Sequence, residues 1–439
     1  MTNQRQSMPG SKFGYPLRAV TSHKRTGTLI ATGLGLLTSI FIDFGARVSI
    51  AEFLLLGYLL LQIINRKRIP ATVVPYFFCL TLLLLGFIAA NAAYGFGGDS
   101  ILRTTGGYGI FILSIVALAH FLKDDIPGRL APIMLGSALG EILGFYVSPT
   151  PEILIDPWKF GLGNALTVIV ILALTHRSII SSSQFVMPLI LISLASLHFI
   201  MGSRSLAGIL MLSVLLVLIR RSKSRFTNYQ MIGCFALISA TVFGVVKIYS
   251  YYAQTGLLGE DSATKYSDQN GEFGVLPGAR KEIILLAAAW IRSPIFGWGP
   301  TAAVDSRHMG EVYNWYVLHG YTINLSDFNR LFVVDSLPLH SIFLGLLVQA
   351  GLFAIPLIIS LLHPWVRALS YGISSKNLLA TFVILSGGVH LFVSPLGDTT
   401  RFPVAISLAV GLAAFPCAKR GIARGKQLAG SGPHSHGAV

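Results

Sequence analysis

Long apolar runs, most of them 16–25 residues, recur along the whole chain with short basic interruptions. A hydrocarbon core about 30 Å thick takes about 20 apolar residues as a helix. A membrane β-barrel would need alternating segments of roughly ten residues instead. Composition agrees with the helical reading. The chain is 53% hydrophobic and 12% charged, where soluble domains carry about 25% charged residues. The expected fold class is therefore all-α, a polytopic membrane helix bundle.

The runs lie at 27–44, 47–64, 71–94, 104–122, 129–147, 160–176, 184–201, 205–220, 229–252, 337–362, 377–394 and 403–418, which predicts twelve spans. With the N-terminus in the cytoplasm, the inner segments hold 21 of the 33 basic residues and two acids, Asp124 and Asp125. That is the asymmetry of the positive-inside rule. A missed span would reverse every later loop. No cleavable signal peptide is expected, because the first 26 residues are polar and basic. The expected organisation is a bundle of about nine spans over 1–252, a large outer loop over 253–336, three spans over 337–418 and a disordered inner tail over 419–439. Cys79, Cys234 and Cys417 lie in or at the end of apolar runs and do not read as a disulfide. The net charge of +15 is spread between the runs rather than gathered in one patch, so it points to orientation and away from nucleic acid.

The outer loop contains one amphipathic stretch. Ile283, Leu286, Ala287, Trp290 and Ile291 share a helix face, in a segment too short to span, expected to lie along the membrane or pack on the bundle. A tight turn, Met201-Gly-Ser-Arg-Ser205, sets Arg204 between two spans. Cations are scarce on the outer side in most such proteins, yet here Arg47, Arg103, Lys159, Arg204, Lys247, Arg280, Lys281 and Arg401 fall there, with His340 at the start of a span. Charges at a membrane boundary are costly and so are functional candidates. The plain alternative is that each snorkels to lipid phosphates or pairs with a loop acid. Together they suit an anionic head group such as a phosphate or diphosphate. Trp290 and Trp298 complete the substrate-binding candidates. No outer loop has His, Asp or Glu at metal-ligand spacing, and no cofactor-binding motif occurs.

Three stretches carry a resemblance: Gly202-Ser-Arg-Ser-Leu-Ala-Gly-Ile-Leu210, the segment 279–300, and the segment 337–358. In this order around one long outer loop they resemble the bacterial O-antigen ligase and polymerase superfamily. The matching positions are Arg204, Arg280, Trp290, Pro294, Gly297, Gly299 and His340, with Ser205 where members often have Gly. The resemblance implies a metal-independent, inverting glycosyltransferase at the periplasmic face of the bacterial inner membrane. Its donor would be a glycan on undecaprenyl diphosphate and its acceptor, in a ligase, lipid A–core oligosaccharide. Arg204 and Arg280 would hold the diphosphate. His340 would act either as general base or as a phosphate ligand. A polymerase of the same superfamily and, from another class, a secondary transporter using Glu52, Glu141, Asn164 and Gln349 within spans are the competing readings. Protein-glycosylating members usually carry a longer C-terminal extension.

Overall fold

In a computed structural model, the described residues are 17–43, 47–66, 73–95, 98–147, 149, 151–175, 186–220, 236, 240, 243–244, 247–257, 259–274, 281–302, 304, 306–322, 339–375, 377–397 and 399–414. They form a helical bundle. Its elements are α1 (Leu17–Leu36), the strands β1 (Phe41–Asp43) and β2 (Arg47–Ser49), α2 (Ile50–Arg66), α3 (Val74–Tyr94), α4 (Gly98–Leu122), α5 (Ile126–Val147) and α6 (Pro151–Ile155). There follow α7 (Gly163–Thr175), entered through a π-turn at Trp158–Leu162, then α8 (Val186–Ile200) and α9 (Arg204–Arg220). Three shorter helices, α10 (Glu260–Gln269), α11 (Lys281–Arg292) and α12 (Ser306–Leu318), occupy the polar segment. The bundle resumes with α13 (Ile342–Ala350), α14 (Ile355–Ser375), α15 (Leu378–Val393) and α16 (Thr399–Ala414).

Among the described residues, five helical segments are long and apolar enough to cross a membrane: Val74–Tyr94, Gly98–Leu122, Ile126–Val147, Trp158–Thr175 and Ile342–Ser375. Five shorter apolar helices accompany them. The architecture is thus a mostly helical bundle with apolar helices of membrane-spanning length, and most of the expected runs are helices. Two differ in detail. The run 27–44 is not one helix: α1 ends at Leu36, and Phe41–Asp43 pairs antiparallel with Arg47–Ser49. Ile40, Ile42 and Val48 are β-branched and favour an extended backbone there. The run 337–362 is also broken. Its helix begins only at Ile342, stops at Ala350, passes through a 3-10 turn at Gly351–Ala354 and restarts at Ile355. Most of the expected span 229–252 and the tail 419–439 lie outside the described residues.

One continuous core of buried side chains joins α1–α5, α7–α9 and α13–α16. Small residues let the backbones approach, as expected where lipid supplies no hydrophobic drive between helices. A Cβ on Gly136 would sit 2.0 Å from the Thr32 carbonyl oxygen, and one on Gly140 2.6 Å from that of Leu36, so α1 and α5 are in backbone contact. Leu60, Leu61, Phe78, Leu85 and Ile88 point outward, exposed. A second, smaller core binds α11 and α12 together through Leu285, Leu286, Ala289, Val312 and Tyr316, and reaches Val348 of α13. The amphipathic stretch therefore packs on the bundle, but its buried line is Leu285, Leu286 and Ala289, and Ile291 is exposed. The buried face is rotated because Trp298 returns under α11, donating its Nε1–H to the Ala289 carbonyl at 2.7 Å.

Candidate functional site at one end of the bundle

The break after α13 organises the site. A helix end leaves carbonyls without partners, and in a membrane such groups are tolerated only where protein satisfies them. Here the loop after α11 does so. The Trp298 amide donates to the Val348 carbonyl at 2.7 Å, Gly299 to Gln349 at 3.0 Å, and Leu352 returns a bond to Ile295 at 3.0 Å. Two glycines permit this approach. Gly297 has φ +71° and a Cβ there would lie 2.5 Å from the Gln349 carbonyl carbon; Gly351 has φ +55° and would meet the Ile295 oxygen at 2.3 Å. Trp298 is fixed further by stacking on Tyr94, with ring centroids 5.1 Å apart.

This clamp holds Gln349, a buried amide in an apolar helix. Its Nε2 donates to the Pro300 carbonyl at 2.7 Å, and its Oε1 accepts from the Tyr108 hydroxyl at 3.0 Å. Both Gln349 and Tyr108 line a cavity of about 250 Å³ between α4, the start of α13 and the start of α16. Its charged walls are Arg103 and Arg401; Thr104 and Ser341 add hydroxyls.

Arg401 is 5% exposed and pairs with Glu52, 2% exposed, at 3.1 Å from Nε to Oε1 and 3.3 Å from Nη2 to Oε2. Its Nη2 also donates to the Arg47 carbonyl. Glu52 is itself oriented by a capping box: its Oε2 accepts from the Ser49 amide at 2.8 Å, and the Glu52 amide donates back to Ser49 Oγ at 3.2 Å. The hairpin, α2 and α16 thus converge on one guanidinium. Arg103 is exposed at the first turns of α4, and among the described residues no carboxylate lies within ion-pair distance of it. Among the described residues, Glu52 offsets Arg401, so the net positive charge at the cavity rests on Arg103.

His340 sits between two wall residues, Leu339 and Ser341. It is half-buried, two residues before α13, and Ser341 is the cap, its Oγ accepting from the Leu344 amide at 3.2 Å. The other expected residues are placed as follows. Arg204 opens α9, with its guanidinium carbon 3.8 Å above the Tyr249 ring, and is not part of the cavity wall. The partner that a lone charge beside two apolar helices requires is here an aromatic face. Arg47 is exposed over the Phe41 ring, and Lys159 over Phe160. Lys281 donates to the Thr322 carbonyl at 2.7 Å and ties α11 to the end of α12's loop. Beside it, the Tyr316 hydroxyl donates to the Lys281 carbonyl at 2.9 Å, and burial, then Glu282, raise its pKa. Trp290 is half-buried in the α11–α12 core. Arg280 lies outside the described residues.

The structure therefore gathers Arg103, Arg401, the Arg47 backbone and the His340 segment at one end, which is the grouping that the charge pattern assigns to the outer side. Arg204 is held in a separate aromatic cluster with Tyr249 and Tyr266. Tyr108, Thr104 and Ser341 were not among the expected residues. Only Ser49-x-x-Glu52 had a local signal, as a capping box. No protein-family model, curated protein or solved structure matches the chain.

Proposed function

We propose that this chain is a lipid-linked glycan transferase of the O-antigen ligase type, working at the periplasmic face of the bacterial inner membrane. It would join an undecaprenyl-diphosphate-linked glycan to lipid A–core oligosaccharide. The observation that carries the reading is the cavity bearing Arg103 and Arg401; the role given to His340 comes from the family resemblance. A diphosphate needs charge-assisted donors, and arginine offers them as a planar fork. Arg103 supplies the net attraction. Arg401, held by Glu52 and the Arg47 carbonyl, supplies a donor that need not reorganise as charge develops.

The chemistry is one displacement. An acceptor hydroxyl oxygen attacks the anomeric carbon from the face opposite the diphosphate. The bond from that carbon to the phosphate oxygen breaks, undecaprenyl diphosphate leaves with the electron pair, and the hydroxyl proton passes to His340. Configuration inverts. Arg204 and Arg280 remain candidates for the diphosphate from the family resemblance alone. The polar residues that favoured a transporter are engaged with protein partners: Glu52 with Arg401, Glu141 with Asn164 at 2.9 Å, and Gln349 with Tyr108.

A lipopolysaccharide gel from a deletion strain tests the reading. Loss of long-chain bands while long lipid-linked glycan accumulates is expected. A band carrying a single repeat would indicate a polymerase instead, and an unchanged ladder would remove both.

A further inference from the structure

A second cavity, of about 390 Å³, lies at the other end of α4. Arg103 and His120 are separated by seventeen positions along this helix, about 25 Å at 1.5 Å per residue. The two cavities thus open at opposite ends of one membrane-length helix. The second is walled by Tyr58 and Gln62 of α2, His120 at the end of α4, Lys123 in the following turn, Arg129 of α5 and Ile30 of α1. Its charge is net positive. Asp124 is the one acid among the described wall residues and meets Arg129 only at 4.0 Å, on an exposed side chain.

The basic groups are built in rather than splayed into solvent. The Arg129 guanidinium donates to the Phe121 carbonyl at the end of α4, and its guanidinium carbon lies 5.0 Å from the centroid of the same residue's ring. Lys123 Nζ lies 3.1 Å from His120 Nε2, and the His120 ring packs on Tyr58 at 6.0 Å. All four are at least partly buried. The remaining wall is apolar and faces outward. Ile30 is 56% exposed, and Leu29 and Leu61, its sequence neighbour and that of Gln62, are exposed as well. A cation pair beside an open apolar strip matches a molecule with a phosphate at one end and acyl chains at the other. Basic pockets between helices at a membrane surface are suited to such head groups, and this volume is within the usual range for ligand pockets.

We propose that this cavity binds the phosphate of an anionic glycerophospholipid, with Lys123 and Arg129 on the phosphate and the acyl chains along α1 and α2. The site is independent of the proposed reaction. The test uses the full chain, purified in a neutral detergent, and follows its thermal midpoint. Phosphatidylglycerol should raise the midpoint by a few degrees and saturate, while acyl-matched phosphatidylcholine and soluble glycerol phosphate should not. Lys123→Gln removes one cation without touching the Arg129 bond to Phe121, so it should keep the lipid-free midpoint and lose the phosphatidylglycerol response. The proposal is overturned if the Lys123→Gln protein responds like the parent, if phosphatidylcholine stabilises equally, or if glycerol phosphate alone reproduces the effect. Retained phosphatidylglycerol adducts on Lys123→Gln in native mass spectrometry, at parental occupancy, would overturn it as well.

Discussion

Arg103 and Arg401 share a cavity but differ in what their loss should do. Arg401 is one half of a buried pair, and removing one partner leaves an uncompensated charge, which typically costs about 3–5 kcal/mol. Arg401→Ala should therefore fail as a folded protein. A double change, Glu52→Leu with Arg401→Met, removes both charges and should recover the thermal midpoint while leaving transfer impaired. Arg103 is exposed and bears no such burden, so Arg103→Ala should fold normally and weaken donor binding by roughly tenfold or more, in line with about 1.5–3 kcal/mol for a hydrogen bond to a charged group. Titration of donor into the two purified proteins separates these outcomes. A normal donor affinity in Arg103→Ala would place the diphosphate elsewhere. His340 is tested by splitting turnover from binding. As a general base it contributes about 10²–10⁴-fold to turnover, so His340→Ala should lower turnover at saturating donor with donor affinity nearly unchanged. Weakened donor binding with turnover intact would make it a phosphate ligand.

The interrupted helix is the element on which the site depends. Gly297 and Gly351 both adopt positive φ, and both face another backbone at under 2.6 Å from where a Cβ would be. Gly297→Ala combines left-handed strain, about 1–3 kcal/mol, with a collision that neither backbone can relieve. The expected result is a clearly lowered thermal midpoint together with loss of activity, because Gln349 and the cavity wall would move with α13. Gly208→Ala, on α9 with nothing within 4 Å of its Cβ, is the matched control and should be silent. The same element shows what sequence could and could not convey. The apolar run 337–362 announces a span, and the resemblance marks Pro294, Gly297 and Gly299, but neither indicates that the amides of Trp298 and Gly299 complete the hydrogen bonds of a helix fifty positions later. That pairing is tertiary. Tyr108 reads as an ordinary span residue, and Gln349 as a polar span residue suited to a transporter, for the same reason, since their pairing arises only when α4 meets α13. Arg204 lacks a local partner in the sequence, and Tyr249, forty-five positions on, is invisible to a local argument.

For the molecule as a whole, the charge pattern can be compared with which residues the fold brings together. Residues that the pattern puts on one side, at positions 47, 103, 339–341 and 396–401, meet around one cavity, and those it puts on the other, at 62, 120, 123 and 129, meet around the second. The small β-hairpin was not legible, because an apolar run with β-branched residues suits either a span end or two short strands. Absolute orientation is open to labelling. A thiol introduced at Asp268 on α10 should react with an impermeant reagent from outside intact cells, and one at Ser222 should not; the reverse pattern would invert the whole topology. Transfer of a lipid-linked glycan is measured directly with purified protein in liposomes. These contain undecaprenyl-diphosphate-linked glycan and lipid A–core, with EDTA present throughout. The expected product is glycan joined to lipid A–core with inverted anomeric configuration, with one undecaprenyl diphosphate released per transfer. Transfer that appears only when Mg²⁺ or Mn²⁺ is restored, or a product of retained configuration, would contradict it.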